Sequence, residues 1–254
     1  MQLCRFELGG TKRWGMIEGE LVRPLTGRPW DGIRIETGAV PLATLDLLPP
    51  CVPTKIVAVG LNYRAHAAEV GKPLPAEPLI FLKAPSALLP PGGTVSLPTQ
   101  SAQVEHEGEL ALVIGRVAHH VGKADALDYV LGFTCLDDVT ARDIQRREKT
   151  YARAKGFDTF CPVGPWLETE VPDPQDLDLE LRVDGTVRQR GTTADMIFTV
   201  AEIISFVSSI MTLAPGDLIT TGTPPGVGPL LPGNEVEVTI SGIGTLRHGC
   251  TAAE

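Results

Sequence analysis

Two glutamates one residue apart, Glu107 and Glu109, stand at the head of a strand-like run, Glu109-Leu-Ala-Leu-Val-Ile-Gly115. Side chains at i and i+2 of a β-strand share a face, so this spacing aims both carboxylates at one point. Like charges held that close raise each other's pKa unless a cation sits between them. Asp138, about thirty residues further on, closes a second apolar run and offers a third carboxylate. Three carboxylates form an all-oxygen set suited to a hard divalent ion such as Mg²⁺ or Mn²⁺. The fold must therefore bring these three positions together around a cation.

The chain has 254 residues, long enough for one domain or for one large and one small domain. Its net charge of −9 argues against nucleic acid or an anionic membrane as the main partner. A small anionic substrate would need local compensation from a metal or a few placed cations. The five cysteines are scattered and form no Cys-x-x-Cys pair, which favours free thiols in a reducing compartment. The first residues lack the basic-then-apolar order of a signal peptide, and no apolar run is long enough to span a bilayer. A cytoplasmic location is the expectation.

Residues 1–50 read as a small β-rich N-terminal domain, with hairpin material around Gly9-Gly10 and Gly19. The stretch Leu48-Pro49-Pro50-Cys51-Val52-Pro53 marks a boundary, which leaves 51–254 as the larger domain. There, Lys55–Gly60 is a short buried-strand pattern, and residues 61–77 read as an exposed segment. Leu177–Val183 and Val236–Ile240 alternate as strands, and Asp184-Gly185 is a hairpin turn. Thr199-Val-Ala-Glu202 is a capping box that opens a helix, with Pro215-Gly216 as its stop. A second helix is expected from Thr140 to about Arg153, and a shorter one over Lys123–Tyr129. Strands outnumber helices, so the fold class is α+β, mostly β, with a dominant and mostly antiparallel sheet.

Seven segments occur in the order found in one known family. They are Gly60-Leu-Asn-Tyr-Arg-Ala-His66, Phe81-Leu-Lys83, His106-Glu-Gly-Glu-Leu110, Asp138-Val-Thr-Ala-Arg-Asp143, Lys155-Gly-Phe-Asp-Thr-Phe-Cys-Pro162, Thr193-Ala-Asp-Met-Ile-Phe198, and Pro215-Gly-Asp217 leading into Thr221-Gly-Thr-Pro224. Over nearly all of residues 55–245 the chain thus resembles the fumarylacetoacetate hydrolase family. The resemblance implies a rolled, mixed β-sheet catalytic domain, a homodimer, and a Mg²⁺ or Mn²⁺ ion. It also implies a 2-oxo acid substrate, and it matches Glu107, Glu109 and Asp138 to the family's metal-binding carboxylates.

Lys155 matches a family lysine placed to stabilise negative charge on the substrate's oxygen. His66 and Glu69 are three apart in a segment expected to form a helical turn, so the carboxylate can hold the imidazole's tautomer and raise its basicity. The pair could then deprotonate water, and hydrolytic members of the family carry such a His-x-x-Glu on a lid. Thr223 is read as pointing its hydroxyl at a substrate carboxylate. Gln145 and Arg142 are read as pocket residues on one helix, Arg142 and Asp143 also bracing the metal loop. Glu105 is at most a supporting residue, His119-His120 a turn, and Arg146–Lys149 a solvated helix face.

Two reactions fit this set. In the first, water activated by His66 attacks the distal carbonyl of a 2,4-dioxo acid of acylpyruvate or fumarylpyruvate type, and C–C cleavage leaves a pyruvate enolate stabilised by the ion. The alternative is a 2-oxo-acid decarboxylase or isomerase of aromatic-acid catabolism, or an oxaloacetate decarboxylase or tautomerase. The dyad and Lys155 favour hydrolysis. Gly60-Leu-Asn-Tyr and Arg188–Thr193 look similar to the isomerase/decarboxylase branch. A non-catalytic relative should have lost a ligand or the dyad, and this chain has lost neither. The hydrolase reading is the one adopted.

Overall fold

The computed structural model describes residues 1–253. A twelve-stranded mixed sheet dominates it. Its central path runs through Thr11–Glu18, Gln2–Leu8, Cys161–Glu168, Val130–Asp137, Gly108–Ile114, Leu218–Thr220, Ile56–Gly60 and Leu79–Lys83. Neighbours are antiparallel, except that Leu218–Thr220 runs parallel to Ile56–Gly60. A five-stranded sheet that includes Asp178–Val183 and Glu235–Ile240 lies beside it, along with a three-stranded one built on Val104–His106.

The Gly108–Ile114 strand shows how the layers form. Leu110, Leu112 and Ile114 enter one apolar cluster with Leu179, Leu181, Val236 and Val238 of the smaller sheet. Ala111 and Val113 enter a second cluster with Leu3, Trp14 and Val163. All seven residues are buried, as a strand covered on both faces requires. The hairpins read in residues 1–24 form as expected, but their first strand also pairs with the main sheet through Gln2↔Glu168 and Leu3↔Leu167.

Helices are few. α1 is Arg64–Glu69, α2 is Arg142–Glu148, α3 is Ala152–Lys155 and α4 is Val200–Ile210. The Thr199–Glu202 capping box is present at α4. This helix ends at Ile210, and Pro215-Gly216 belongs to the following turn. Lys123–Tyr129 is helical, of the 3-10 type. The single helix expected over Thr140–Arg153 does not form. Thr140 and Ala141 pair as a strand with Glu105 and Val104, and Lys149 adopts a left-handed φ of 56° that ends α2. Residues 61–77 are not exposed throughout: Asn62, Tyr63 and His66 are buried.

Candidate active site

The strand read as starting at Glu107 begins one residue later, and Glu107 itself is the crossover between two sheets. Val104–His106 pairs within the three-stranded sheet, and Gly108–Ile114 pairs within the large one. The crossover is pinned on both sides: Glu107 N–H donates to Asp137 Oδ1 at 2.7 Å, and Asp138 N–H donates to the Glu107 carbonyl at 2.8 Å. Asp137 is held in turn by His248 Nε2 at 2.9 Å. The carboxylates of Glu107, Glu109 and Asp138 converge despite the break, each offering an oxygen within 4.8 Å of the other two.

All three are at least 95% buried, yet their surroundings differ. Burial alone would raise the Glu107 carboxyl, but Lys155 and Arg142 outweigh it and hold it well below the usual carboxylate range. Glu109 goes the other way: burial first, then the nearby Asp138 charge, push it well above that range. Lys155 bridges Glu107 Oε2 and Asp138 Oδ2, each at 2.6 Å, and these two anions hold its ammonium charged against the effect of burial. Three carboxylates with oxygens within 4.8 Å of one another, one of them held above the usual carboxylate range, are what a divalent cation would relieve. The residues present therefore fit Mg²⁺ or Mn²⁺.

A cavity of about 480 Å³ opens over this cluster. Every site residue named from the sequence lines it: His66, Glu69, Lys155, Thr223, Gln145, Arg142, Glu107, Glu109 and Asp138. His66 Nδ1 lies 2.9 Å from Glu69 Oε2, as the i, i+3 spacing on α1 requires. The second oxygen of Glu69 accepts the Gly226 N–H at 2.9 Å, tying α1 to the loop after Thr223. Asn62 anchors the other end of that segment. Its side-chain amide donates to Phe198 O at 3.0 Å and Thr221 O at 2.7 Å, and its oxygen accepts Phe198 N–H at 2.8 Å.

Thr223 reaches the cavity with its hydroxyl already engaged. It donates to Gly108 O at 2.8 Å and accepts from Gln189 Nε2 at 2.7 Å. Gln145 accepts from Arg142 at 2.6 Å, and Arg142 also bonds Glu105 at 2.6 Å and Glu107. Arg142 is thus tied to Glu105, Glu107 and Gln145, whereas Asp143 accepts from Ser101 Oγ at 2.6 Å and Ala102 N–H at 3.2 Å.

Sequence reasoning gave no role to two further residues. Lys83 is buried and donates to Asp138 Oδ1 at 2.6 Å and to Lys155 O at 2.8 Å, so it fixes a ligand candidate and the neighbouring lysine together. Gln189 is fully buried. It accepts Gly108 N–H at 2.9 Å and donates to Pro224 O at 2.8 Å as well as to Thr223. Lys83 ends an apolar strand, Leu79–Lys83, and falls in the Phe81-Leu-Lys83 segment, two signals that could have exposed it.

The family model described as "Fumarylacetoacetate (FAA) hydrolase C-terminal" matches residues 55–251, about three-quarters of the chain. The chain belongs to the fumarylacetoacetate hydrolase family. A second model, "Rv2993c-like, N-terminal", matches residues 1–50. The chain is 41% identical to a 2,4-didehydro-3-deoxy-L-rhamnonate hydrolase from Sphingomonas sp., over 98% of this chain and 95% of that one.

Solved structures of the family superpose closely. One is the 2-hydroxyhepta-2,4-diene-1,7-dioate isomerase of Mycobacterium marinum, with a TM-score of 0.93, 42% identity, and 99% and 98% of the two chains covered. Another is the maleylpyruvate hydrolase of Sphingobium sp. SYK-6, in complex with manganese(II) and pyruvate. It has a TM-score of 0.82 and 32% identity, with both chains covered in full, 100%. The chain is an enzyme of this hydrolase and isomerase family. Among its described residues, no helix is long and apolar enough to cross a membrane.

Proposed function

We propose that this enzyme is a Mg²⁺- or Mn²⁺-dependent hydrolase that cleaves the C–C bond of a 2,4-dioxo acid, releasing pyruvate and a carboxylic acid. The observation that carries this reading is the His66–Glu69 pair, held over the same cavity that contains the three converging carboxylates. Glu107, Glu109 and Asp138 would hold the cation, which supplies a Lewis acid for the 2-oxo acid end of the substrate.

The protein's own groups account for the proton and charge movements. With Nδ1–H donated to Glu69, His66 keeps Nε2 as the base that takes a proton from water. The hydroxide adds to the C4 carbonyl, the C3–C4 bond breaks, and its electron pair passes into the pyruvate enolate. The Lys155 ammonium stands as a fixed cation for that developing charge. His66 then carries the proton that C3 needs. Glu69 holds the imidazolium formed on the way, and its bond to Gly226 keeps α1 over the substrate.

The relatives support this reading. The substrate named for the Sphingomonas enzyme is oxidised at C2 and C4, and the Sphingobium hydrolase holds manganese(II) and pyruvate. The reading takes the chain as a homodimer, which sedimentation would show as twice the 27.1 kDa chain mass.

Proton NMR of the purified protein with acylpyruvates, acetylpyruvate first, and separately with oxaloacetate, tests the reaction. Cleavage to pyruvate plus the acid with Mg²⁺, and none with chelator, is the expected result. Pyruvate from oxaloacetate alone, above the metal-only background, would move the assignment to a decarboxylase.

A further inference from the structure

The N-terminal hairpins enclose a cavity of about 400 Å³ that shares no lining residue with the catalytic one. Four cations line it, Arg5, Lys12, Arg13 and Arg28, against one carboxylate among the described residues, Glu36. Arg13 pairs with Glu36. Arg28 is taken up by Asp31 at 2.7 Å and lies over the Trp30 ring, 5.5 Å from its centroid. Arg5 and Lys12 remain. Among the described residues neither has a carboxylate oxygen within 4.0 Å, and the Arg5 guanidinium has no hydrogen-bond acceptor. Arg5 on Gln2–Leu8 stands directly opposite Trp14 on Thr11–Glu18, and Lys12 lies two residues before Trp14, so the three share one face of the sheet. Glu7, opposite Lys12 on that face, does not line the cavity.

Lysine and arginine offer donors and no acceptor, so the group that meets both must be rich in acceptors. Arg5 is half-buried, and its donors lack both a protein acceptor and full hydration. Burial pushes its pKa down, an effect that a bound anion would reverse. Thr11 adds a hydroxyl to the same lining. A carboxylate presents two oxygens in one plane, whereas a phosphate presents three and carries a charge of about −1.5 to −2 at pH 7. Two unmatched cations and a hydroxyl meet the phosphate better, in charge and in number of donors. The Trp14 ring, Leu25 and Val52 form an apolar wall beside the cations. That wall, in a cavity well above the size of a bare phosphate, suits an occupant with an organic body.

We propose that this N-terminal cavity binds a small phosphate monoester, with Arg5 and Lys12 holding the phosphate and the Trp14 wall receiving the organic body. The site is separate from the carboxylate cluster and stands whichever reaction the catalytic cavity performs. In a chain of net charge −9, it is a local cationic patch able to concentrate such an anion.

Calorimetry on the full chain with Mg²⁺ tests this, using phenyl phosphate, benzoate and inorganic phosphate as probes. Wild-type protein should bind phenyl phosphate at least about tenfold more tightly than benzoate, which joins the same ring to a carboxylate. Arg5→Gln and Lys12→Gln should each weaken phenyl phosphate by about tenfold or more, the size of one charge-assisted hydrogen bond, and leave Mn²⁺ affinity within about twofold. Arg5→Lys should keep part of the binding. Lys12 is exposed, so Lys12→Gln decides the matter should Arg5→Gln fail to fold. No phenyl phosphate binding in the wild type, or binding unchanged in both glutamine variants, would overturn the site. Benzoate bound as tightly would overturn the choice of phosphate, and inorganic phosphate bound as tightly would overturn the role of the organic body.

Discussion

At Glu109 two demands compete. Its carboxylate accepts the Gly222 N–H at 2.8 Å, yet burial and Asp138 push its pKa well above the ordinary range. A cation between the acids would ease both demands, which makes Glu109 the ligand candidate most sensitive to what fills the site. His66 poses a separable question, since it meets Glu69 and none of the three ligand candidates. His66→Ala should lower cleavage by about 10²–10⁴-fold, as loss of a general base does, while Mn²⁺ affinity stays within about twofold. Steady-state kinetics beside a Mn²⁺ titration would check this, and unchanged cleavage would remove His66 from the mechanism. The carboxylate trio and the dyad were legible in the sequence because their partners lie at strand or helix spacing, or inside a recognisable segment. Gln189 was not, and Lys83 was given no role although it lies in the Phe81-Leu-Lys83 segment. Lys83 meets Asp138 across 55 residues and Gln189 meets Gly108 across 81, distances over which one chain gives no pairing signal.

Among the elements, α1 is the one whose placement matters most. Six residues form no stable helix alone, and its N-cap residue, Tyr63, makes no side-chain cap. Its position comes from outside: Asn62 on one side, and the bond from Gly226 to Glu69 on the other. Gly226 can serve because it has no Cβ. Its φ is +99°, and a Cβ there would sit 2.2 Å from Arg188 O. Gly226→Ala should therefore displace the loop at a cost of about 1–3 kcal/mol and lower cleavage about tenfold or more, because Glu69 loses its anchor. Unaltered kcat with unaltered Tm would show that α1 is held some other way. The broken helix over residues 140–155 has a similar lesson. Thr140-Ala141 is drawn into a strand by Val104 and Glu105, and neither composition nor periodicity within 140–153 announces that partner.

Over the whole molecule, the fold class and the hairpin-rich plan were readable from alternation and turns. The joining of residues 2–8 to the large sheet was not, because Gln2 meets its partner only at Glu168. Another long-range tie sits at Asp217, in the turn before the Leu218–Thr220 strand. It accepts the N–H and hydroxyl of Thr54, Ala214 N–H and the Lys55 ammonium, clamping the start of the larger family segment to the sheet. Burial works to raise its carboxyl, but the hydrogen bonds from Lys55, Ala214 and Thr54 outweigh it and depress its pKa. A depressed carboxyl stabilises the fold above its unfolded pKa of about 4, and that stability is lost as pH falls through the folded value. Asp217→Asn should cost about 2 kcal/mol at neutral pH, read as a Tm lower by roughly 4–8 °C. The gap to wild type should narrow below about pH 4. An equal gap at pH 7 and pH 3 would mean that the charge of Asp217 contributes nothing.

All three scales meet in the buried carboxylates, and Mn²⁺ binding followed by electron paramagnetic resonance interrogates them most directly. Wild-type protein should take up one Mn²⁺ per chain, displaceable by Mg²⁺, with cleavage rising in proportion to occupancy. Glu109→Ala should lose the bound-ion signal and the activity together, since two anionic ligands remain where three are needed. A Glu109→Ala protein that binds no Mn²⁺ and still cleaves at the wild-type rate would contradict the account.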